Sequence, residues 1–89
     1  MAFFALDPEK AIESAIKTLK SMSEDREIPR NIREIASKAL GYLTKEDREK
    51  PLRISSAIDA LNEIAEKQNV PVHIRHKVRN IIALLESLL

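Results

Sequence analysis

Two histidines in the last third of the chain have the spacing of a helical metal site. His73 and His76 stand three residues apart, so both imidazoles would project from one side of a helix and could share a Zn²⁺ ion. Such an ion needs further ligands, and the chain has no cysteine and no third ligand within the same stretch. The sequence therefore predicts neither a metal site nor a cofactor, and a metal-dependent protein stays open as a rival that metal analysis of the purified chain would test.

Basic residues form two short clusters that could contact phosphate groups. Their members are Arg75, Lys77 and Arg79 around the histidines, and Arg26, Arg30 and Arg33 in the first half. The formal net charge is +1, and neither cluster contains an aromatic residue on which a base could stack. We therefore expect a solvated helix surface of mixed charge. The alternative function is a nucleic-acid-binding accessory protein that uses the basic ends of the second and fourth helices.

The chain shows no residue pattern that is typical of an enzyme. Serines, threonines and carboxylates are present, but no nucleophile stands beside a base in a recognisable motif. Gly41 is the one glycine, which excludes a glycine-rich phosphate loop. We expect no enzymatic activity, although the sequence leaves open an enzyme that uses carboxylates alone.

Four amphipathic stretches account for most of the 89 residues. Each has apolar residues every three to four positions, the period of a helix with one buried face. Each begins near a proline, which is favoured in the first turn of a helix. The prolines are Pro8, Pro29, Pro51 and Pro71. Helices are expected over 8–23, over 29–43, from 51 to a break at 68–69, and from 71 onward.

The second half of the chain repeats the first with a shift of 42 residues. The shift places apolar positions on apolar positions, proline on proline and arginine on arginine. Examples are Ile12 on Ile54, Ile16 on Ile58, Leu19 on Leu61, Pro29 on Pro71, Ile32 on Ile74 and Arg33 on Arg75. A period of this length is typical of helical-hairpin repeats.

The second helix resembles the second helix of HEAT repeats. The residues that carry this resemblance are Ile32-Arg33, Ala36 and Ala39-Leu40, of which the fourth helix retains Ile74-Arg75. The fold class that follows is all-α, with four antiparallel helices arranged as two HEAT-like helical hairpins. We expect a single helical domain over residues 1–89, in which hairpin one spans about 8–43, a polar linker spans 44–50 and hairpin two spans about 51–89.

Nearly the whole sequence also resembles an uncharacterised archaeal protein family, number 0147. The resemblance lies in the turn Ser23-Glu24-Asp25 followed by Pro29 to Arg33, and in the apolar segment from Ile81 to Glu86. Members of that family are short four-helix proteins of unknown function. The resemblance thus implies a fold and brings no activity with it.

Two acid and arginine pairs recur at equivalent positions of the repeat. Arg33 follows Glu24 by nine residues, and Arg75 follows Glu66 by the same distance. We expect a structural role for all four residues. Each arginine should reach across its turn to the acid, or to the carbonyls that end the preceding helix, where a cation is favoured.

Apolar residues before the first helix, and an apolar face of the fourth helix that is wider than one contact within the chain needs, predict a contact surface. The candidates are Phe3, Phe4, Leu84, Leu88 and Leu89. Burying one such side chain contributes about 1.5–3 kcal/mol, so a few from each chain could hold a dimer together. We predict a small structural or protein-protein interaction module that forms a homo-oligomer, a dimer or higher. An unidentified protein partner is a further option.

The location of the protein is also predicted from its composition. No apolar run approaches the length of a membrane span, and Met1 to Leu6 is too short for a signal-peptide core. The absence of cysteine fits a reducing compartment. We therefore expect a cytoplasmic protein that does not interact with membranes.

Overall fold

The computed structural model describes residues 7–89, which form four α-helices and no strand. The helices are α1 (Pro8–Glu24), α2 (Arg30–Thr44), α3 (Lys50–Ala65) and α4 (Val72–Glu86). The predicted all-α fold of four antiparallel helices in two HEAT-like hairpins is confirmed. Each boundary lies close to the position that the prolines and the apolar period indicated.

Two kinds of cap begin α1, α2 and α4. At α1 the side chain of Asp7 accepts a hydrogen bond from the backbone N–H of Glu9 at 2.9 Å, and Pro8 is the first helical residue. Pro29 and Pro71 instead lie one residue before α2 and α4, where they act as N-caps without a side-chain acceptor. Their fixed φ directs the chain into the helix, and their carbonyls accept the first backbone hydrogen bonds.

The helices pack in chain order and then close on themselves. α2 packs against both α1 and α3, α4 packs against α3, and α4 also contacts α1. Because consecutive helices are antiparallel, α1 and α3 begin at the same end of the bundle at which α2 and α4 finish. We call this end the terminal end, since α1 is the first helix and α4 the last. The turns after α1 and α3 lie at the opposite end.

The core is built from equivalent residues of the two repeats. Leu19 and Leu61 are fully shielded from solvent, as are Ile32 and its counterpart Ile74. Alanines at the helix contacts, such as Ala36, are also fully buried and let neighbouring backbones approach closely. Within residues 7–89 no polar or charged residue is buried as a whole, so burial of apolar surface dominates the stability of the fold.

The polar stretch predicted as a linker is mostly a short turn. Thr44 is the last residue of α2 and Lys50 the first residue of α3, which leaves residues 45–49 between the helices. The Thr44 hydroxyl donates to the carbonyl of Leu40 at 3.0 Å and so stays within the helix. Since α2 packs directly on α3, these five residues join two helices in contact.

Candidate functional site

An arginine follows each of the three interhelical turns at the same position. Arg33, Arg53 and Arg75 are the fourth residues of α2, α3 and α4, and all three are half-buried. In each side chain Nε is shielded from solvent and has no hydrogen-bond partner among residues 7–89. The repeat of 42 residues predicted two of these positions but missed Arg53, because that register places it on Ala11. Aligning successive turns, 20 and then 22 residues apart, would have found it.

Two of the three arginines reach back across their turns to backbone carbonyls. Nη2 of Arg75 donates to the carbonyl oxygen of Lys67 at 2.8 Å and approaches that of Val70 at 3.4 Å. Nη1 of Arg53 lies 3.5 Å from the carbonyl oxygen of Leu43, in the last turn of α2. A cation is favoured at the Leu43 carbonyl, because the carbonyls in the last turn of a helix carry partial negative charge. The carbonyls of Lys67 and Val70 lie in the turn beyond α3 and accept a charge-assisted hydrogen bond there.

Arg33 differs from its repeat counterpart, since it makes no hydrogen bond to any residue in 7–89. The carbonyl equivalent to that of Lys67 belongs to Asp25, and it already accepts from the backbone N–H of Ile28 at 3.1 Å. The Asp25 carboxylate tightens the same turn by accepting from the N–H of Glu27 at 2.9 Å. The guanidinium donors of Arg33 are therefore not used by the turn.

The acids that the repeat paired with these arginines lie elsewhere. Glu24 and Glu66 are both exposed, and neither forms an ion pair with an arginine within residues 7–89. The ion pairs present in that range join Arg30 to Glu34 at 3.3 Å and Lys50 to Glu9. At Arg75 backbone carbonyls take the place that a carboxylate would have occupied.

A shallow depression lies beside Arg33 on the solvent face of α2. Its volume is about 280 Å³. It is lined by Ser23, Arg30, Arg33, Glu34 and Ser37. Arg33 and Glu34 follow Arg30 by three and four positions, and Ser37 follows them by four and three, so the four residues share one side of the helix. Two guanidinium groups and one carboxylate give this lining a formal charge of +1.

A second depression, of about 240 Å³, lies at the terminal end between α1, α2 and α3. Its apolar lining comes from Ile12, Ile16, Leu43 and Ile54, and charged residues of both signs complete it. Arg53 lines this depression, as does the ion pair between Lys50 and Glu9. The lining is therefore an apolar surface with a charged margin.

The two histidines lie on the exposed side of α4. His73 and His76 are both exposed. Within residues 7–89 no group of three or more His, Cys, Asp or Glu side chains is arranged to hold a metal ion. The pair accordingly has no third ligand in that part of the chain.

The predicted contact residues fall into three groups. Leu89 is 63% exposed, whereas Leu84 and Leu88 are half-buried and Leu88 packs against the core. Phe3 and Phe4 lie outside the described residues. The structure adds Leu52, which is 57% exposed in the first turn of α3. Sequence reasoning missed Leu52 because it lies off the apolar stripe of its helix.

The basic clusters are partly engaged within the protein. Arg30 pairs with Glu34, and Arg75 donates to backbone carbonyls. Lys77 and Arg79 are exposed on α4 and form no ion pair with a residue in 7–89.

In that same range no helix is both long and apolar enough to cross a membrane.

The four antiparallel helices, the internal repeat and the arginine after each turn define a short all-α protein of the helical-hairpin class. The chain belongs to the uncharacterised protein family UPF0147, whose sequence model matches residues 3–88. This confirms the resemblance that the turn and the apolar segment indicated. The biochemical function of that family is not established.

Relatives from archaea match the chain along nearly its full length. A UPF0147 protein of Desulfurococcus amylolyticus is 37% identical over 83 residues, covering 93% of this chain and 91% of the relative. A UPF0147 protein of Archaeoglobus fulgidus is 35% identical over 80 residues, covering 90% and 91%. Their names state the family and no activity.

Two crystal structures share the fold. A UPF0147 protein from Thermoplasma acidophilum is 30% identical and has a TM-score of 0.86, covering 91% of this chain and 95% of that one. The protein MMP1188, of unknown function, is 34% identical and has a TM-score of 0.85, covering 91% and 92%. The helical arrangement is therefore common to the three proteins.

Proposed function

We propose that this protein is a small structural or protein-interaction module that self-associates through the terminal end of its bundle. The observation that carries the proposal is the exposure of two leucines at that end. Leu52 is 57% exposed at the start of α3, and Leu89 is 63% exposed just beyond the end of α4. Because α3 and α4 are antiparallel neighbours, both leucines lie at the same end of the second hairpin.

A second copy of the chain is the occupant that best suits this surface. In a two-fold symmetric dimer both copies use the same patch, so four leucines meet at the interface. Full burial of an exposed leucine contributes about 1.5–3 kcal/mol, but Leu52 and Leu89 are only 57% and 63% exposed. The four together therefore contribute about 4–7 kcal/mol, which lies within the range of the association cost. The interaction is therefore expected to be weak unless further apolar side chains take part.

Phe3 and Phe4 are the further side chains that we assign to this interface. They lie outside the described residues, but the chain enters α1 at Asp7, which is at the terminal end. Phe3 precedes Asp7 by four residues, so it can lie at most about 13–14 Å from it. Two phenylalanines from each chain would about double the apolar surface available for contact. We assign half-buried Leu84 and Leu88 to the margin of the same surface.

Light scattering at several protein concentrations tests this proposal. Leu52→Glu and Leu89→Glu should each lower the mean mass at a given concentration, because a charge would be buried in the dimer. Val72→Glu is the matched control, since Val72 is 70% exposed but lies at the opposite end, at the start of α4. A wild-type mass equal to that of one chain at every concentration would rule the proposal out.

Binding of nucleic acid is the alternative, and its support is weaker. Two of the four arginines and lysines that it requires, Arg30 and Arg75, already contact groups within the protein. Retention of RNA or DNA in low salt, and its loss on changing Arg30, Arg75, Lys77 and Arg79 to Glu, would favour this alternative. No retention by the wild type in low salt would exclude it.

A further inference from the structure

The depression beside Arg33 has the composition of a small anion-binding site. We propose that it binds a phosphate group, as inorganic phosphate or as the monoester of a small molecule, through the guanidinium groups of Arg33 and Arg30. Both arginines line the depression, whose volume of about 280 Å³ leaves room for more than a phosphate ion. The site lies at the opposite end from the proposed interface and does not depend on it.

Arg33 and Arg75 differ in the hydrogen bonds that their guanidinium groups make within residues 7–89. Both follow a turn at the same position, but Arg75 is held by the carbonyl of Lys67 at 2.8 Å, and Arg33 has no such acceptor in residues 7–89. The equivalent carbonyl, that of Asp25, already accepts from a backbone N–H. A half-buried guanidinium whose donors are unused is suited to two oxygens of a phosphate group, which match its planar fork.

Further polar side chains of α2 line the depression on the same side of the helix as Arg33. Arg30 precedes Arg33 by one helical turn and supplies a second positive charge at the depression. Ser37 follows Arg33 by one turn and adds a hydroxyl donor. The Ser23 hydroxyl already donates to the carbonyl of Lys20 at 2.8 Å, so we assign it no role in binding.

The carboxylate of Glu34 repels an anion bound at the depression. Its removal therefore has a predictable effect on the affinity for phosphate. The carboxylate pairs with Nε of Arg30 at 3.3 Å, although both side chains are largely exposed. An exposed pair of this kind is weak in water, so a phosphate group can displace it. Removing the carboxylate should consequently tighten the binding of phosphate.

The second hairpin of the repeat does not duplicate the site. Arg30 is replaced by Val72, Glu34 by His76 and Ser37 by Arg79 at the equivalent positions. In the second hairpin Arg75 donates to turn carbonyls. In the first hairpin Arg33 lies among the polar side chains that line the depression.

Titration followed by two-dimensional ¹H–¹⁵N NMR tests the site. Sodium phosphate is compared with sodium chloride at equal ionic strength, and glycerol phosphate is titrated separately. Saturable shifts of the amides of Arg33, Glu34 and Ser37 are expected with phosphate but not with chloride. Tighter binding of glycerol phosphate would identify a phosphorylated small molecule as the ligand, and tighter binding of inorganic phosphate would identify the free ion.

Three variants separate binding from folding. Arg33→Gln should weaken the affinity at least about tenfold, whereas Glu34→Gln should strengthen it about two- to fivefold, a gain that misfolding cannot produce. Arg79→Gln, an exposed arginine on α4, is the matched control and should leave the affinity unchanged. Phosphate shifts no larger than those caused by chloride, or an Arg33→Gln variant that titrates like the wild type, would overturn the proposal.

Discussion

Nη2 of Arg75 lies 2.8 Å from the carbonyl oxygen of Lys67, so that one side chain spans the whole turn between α3 and α4. The same guanidinium approaches the carbonyl of Val70 in that turn at 3.4 Å. A charged donor that reaches two carbonyls fixes the geometry of the turn and, with it, the approach of α4 to α3. The turn of the second hairpin is therefore tied by an arginine side chain, whereas the turn of the first is tied by the backbone N–H of Ile28 and by the carboxylate of Asp25.

Replacing this arginine should destabilise the protein more than replacing its counterpart. Arg75→Gln should lower the free energy of unfolding by about 1.5–3 kcal/mol, because it removes hydrogen bonds from a charged donor. Arg33→Gln should cost less than about 1 kcal/mol, since no turn carbonyl loses a partner. Urea unfolding followed by circular dichroism measures both values. Equal losses would contradict the assigned difference between the two turns.

Gly41 offers a stabilising substitution inside α2. The residue has no positive φ, and a Cβ built on it meets no atom within 4 Å outside its own helix backbone and chain neighbours. Gly41→Ala should therefore raise the free energy of unfolding by about 0.5–1 kcal/mol, because alanine loses less backbone entropy in a helix. Thermal unfolding should show a midpoint higher by about 2–8 °C. A lower midpoint would indicate that the glycine serves a contact with another molecule.

The cap of α1 can be tested at Asp7. Asp7→Ala removes the acceptor of the Glu9 backbone N–H and should cost about 0.5–2 kcal/mol. Faster amide hydrogen exchange is expected in the first turn of α1. The control is Asp47→Ala, because Asp47 lies exposed in the turn after α2 and should change stability by less than about 0.5 kcal/mol. Similar losses in the two variants would mean that general surface charge, rather than the cap, is responsible.

The tight contact around Ala36 predicts a cost for added volume. Ala36 is fully shielded from solvent, so Ala36→Leu should destabilise the protein by about 1–3 kcal/mol through overpacking. Ala83→Leu places the same side chain on the exposed face of α4 and should have little effect on the free energy of unfolding. Chemical denaturation of both variants makes the comparison. An Ala36→Leu variant as stable as the wild type would show that the helices can separate there without loss.

The fold was largely predictable because its causes are local. Prolines and an apolar period of three to four residues set the helices, and the shift of 42 residues matched core positions such as Leu19 and Leu61. The role of Arg53 was not predicted because the residue lies outside that register, although it follows its turn as the other two arginines do. The exposure of Leu52 was not predicted because its position in the repeat corresponds to a surface lysine, Lys10.

The difference between Arg33 and Arg75 was not predictable, because it depends on backbone hydrogen bonds within the turns. The repeat treats the two arginines as equivalent, and nothing in their side chains distinguishes them. In the first turn the Asp25 carbonyl accepts the backbone N–H of Ile28, whereas in the second the Lys67 carbonyl accepts the Arg75 guanidinium. Which donor a turn carbonyl accepts appears only when the turn has its three-dimensional form.

NMR on a mixture of isotope-labelled and unlabelled chains tests self-association through the terminal end. In such a sample, isotope-filtered spectra report contacts between different chains. Intermolecular contacts are expected from the methyl groups of Leu52 and Leu89, and from the rings of Phe3 and Phe4. Contacts that map instead to Val72 at the opposite end, or no intermolecular contacts at millimolar concentration, would contradict it.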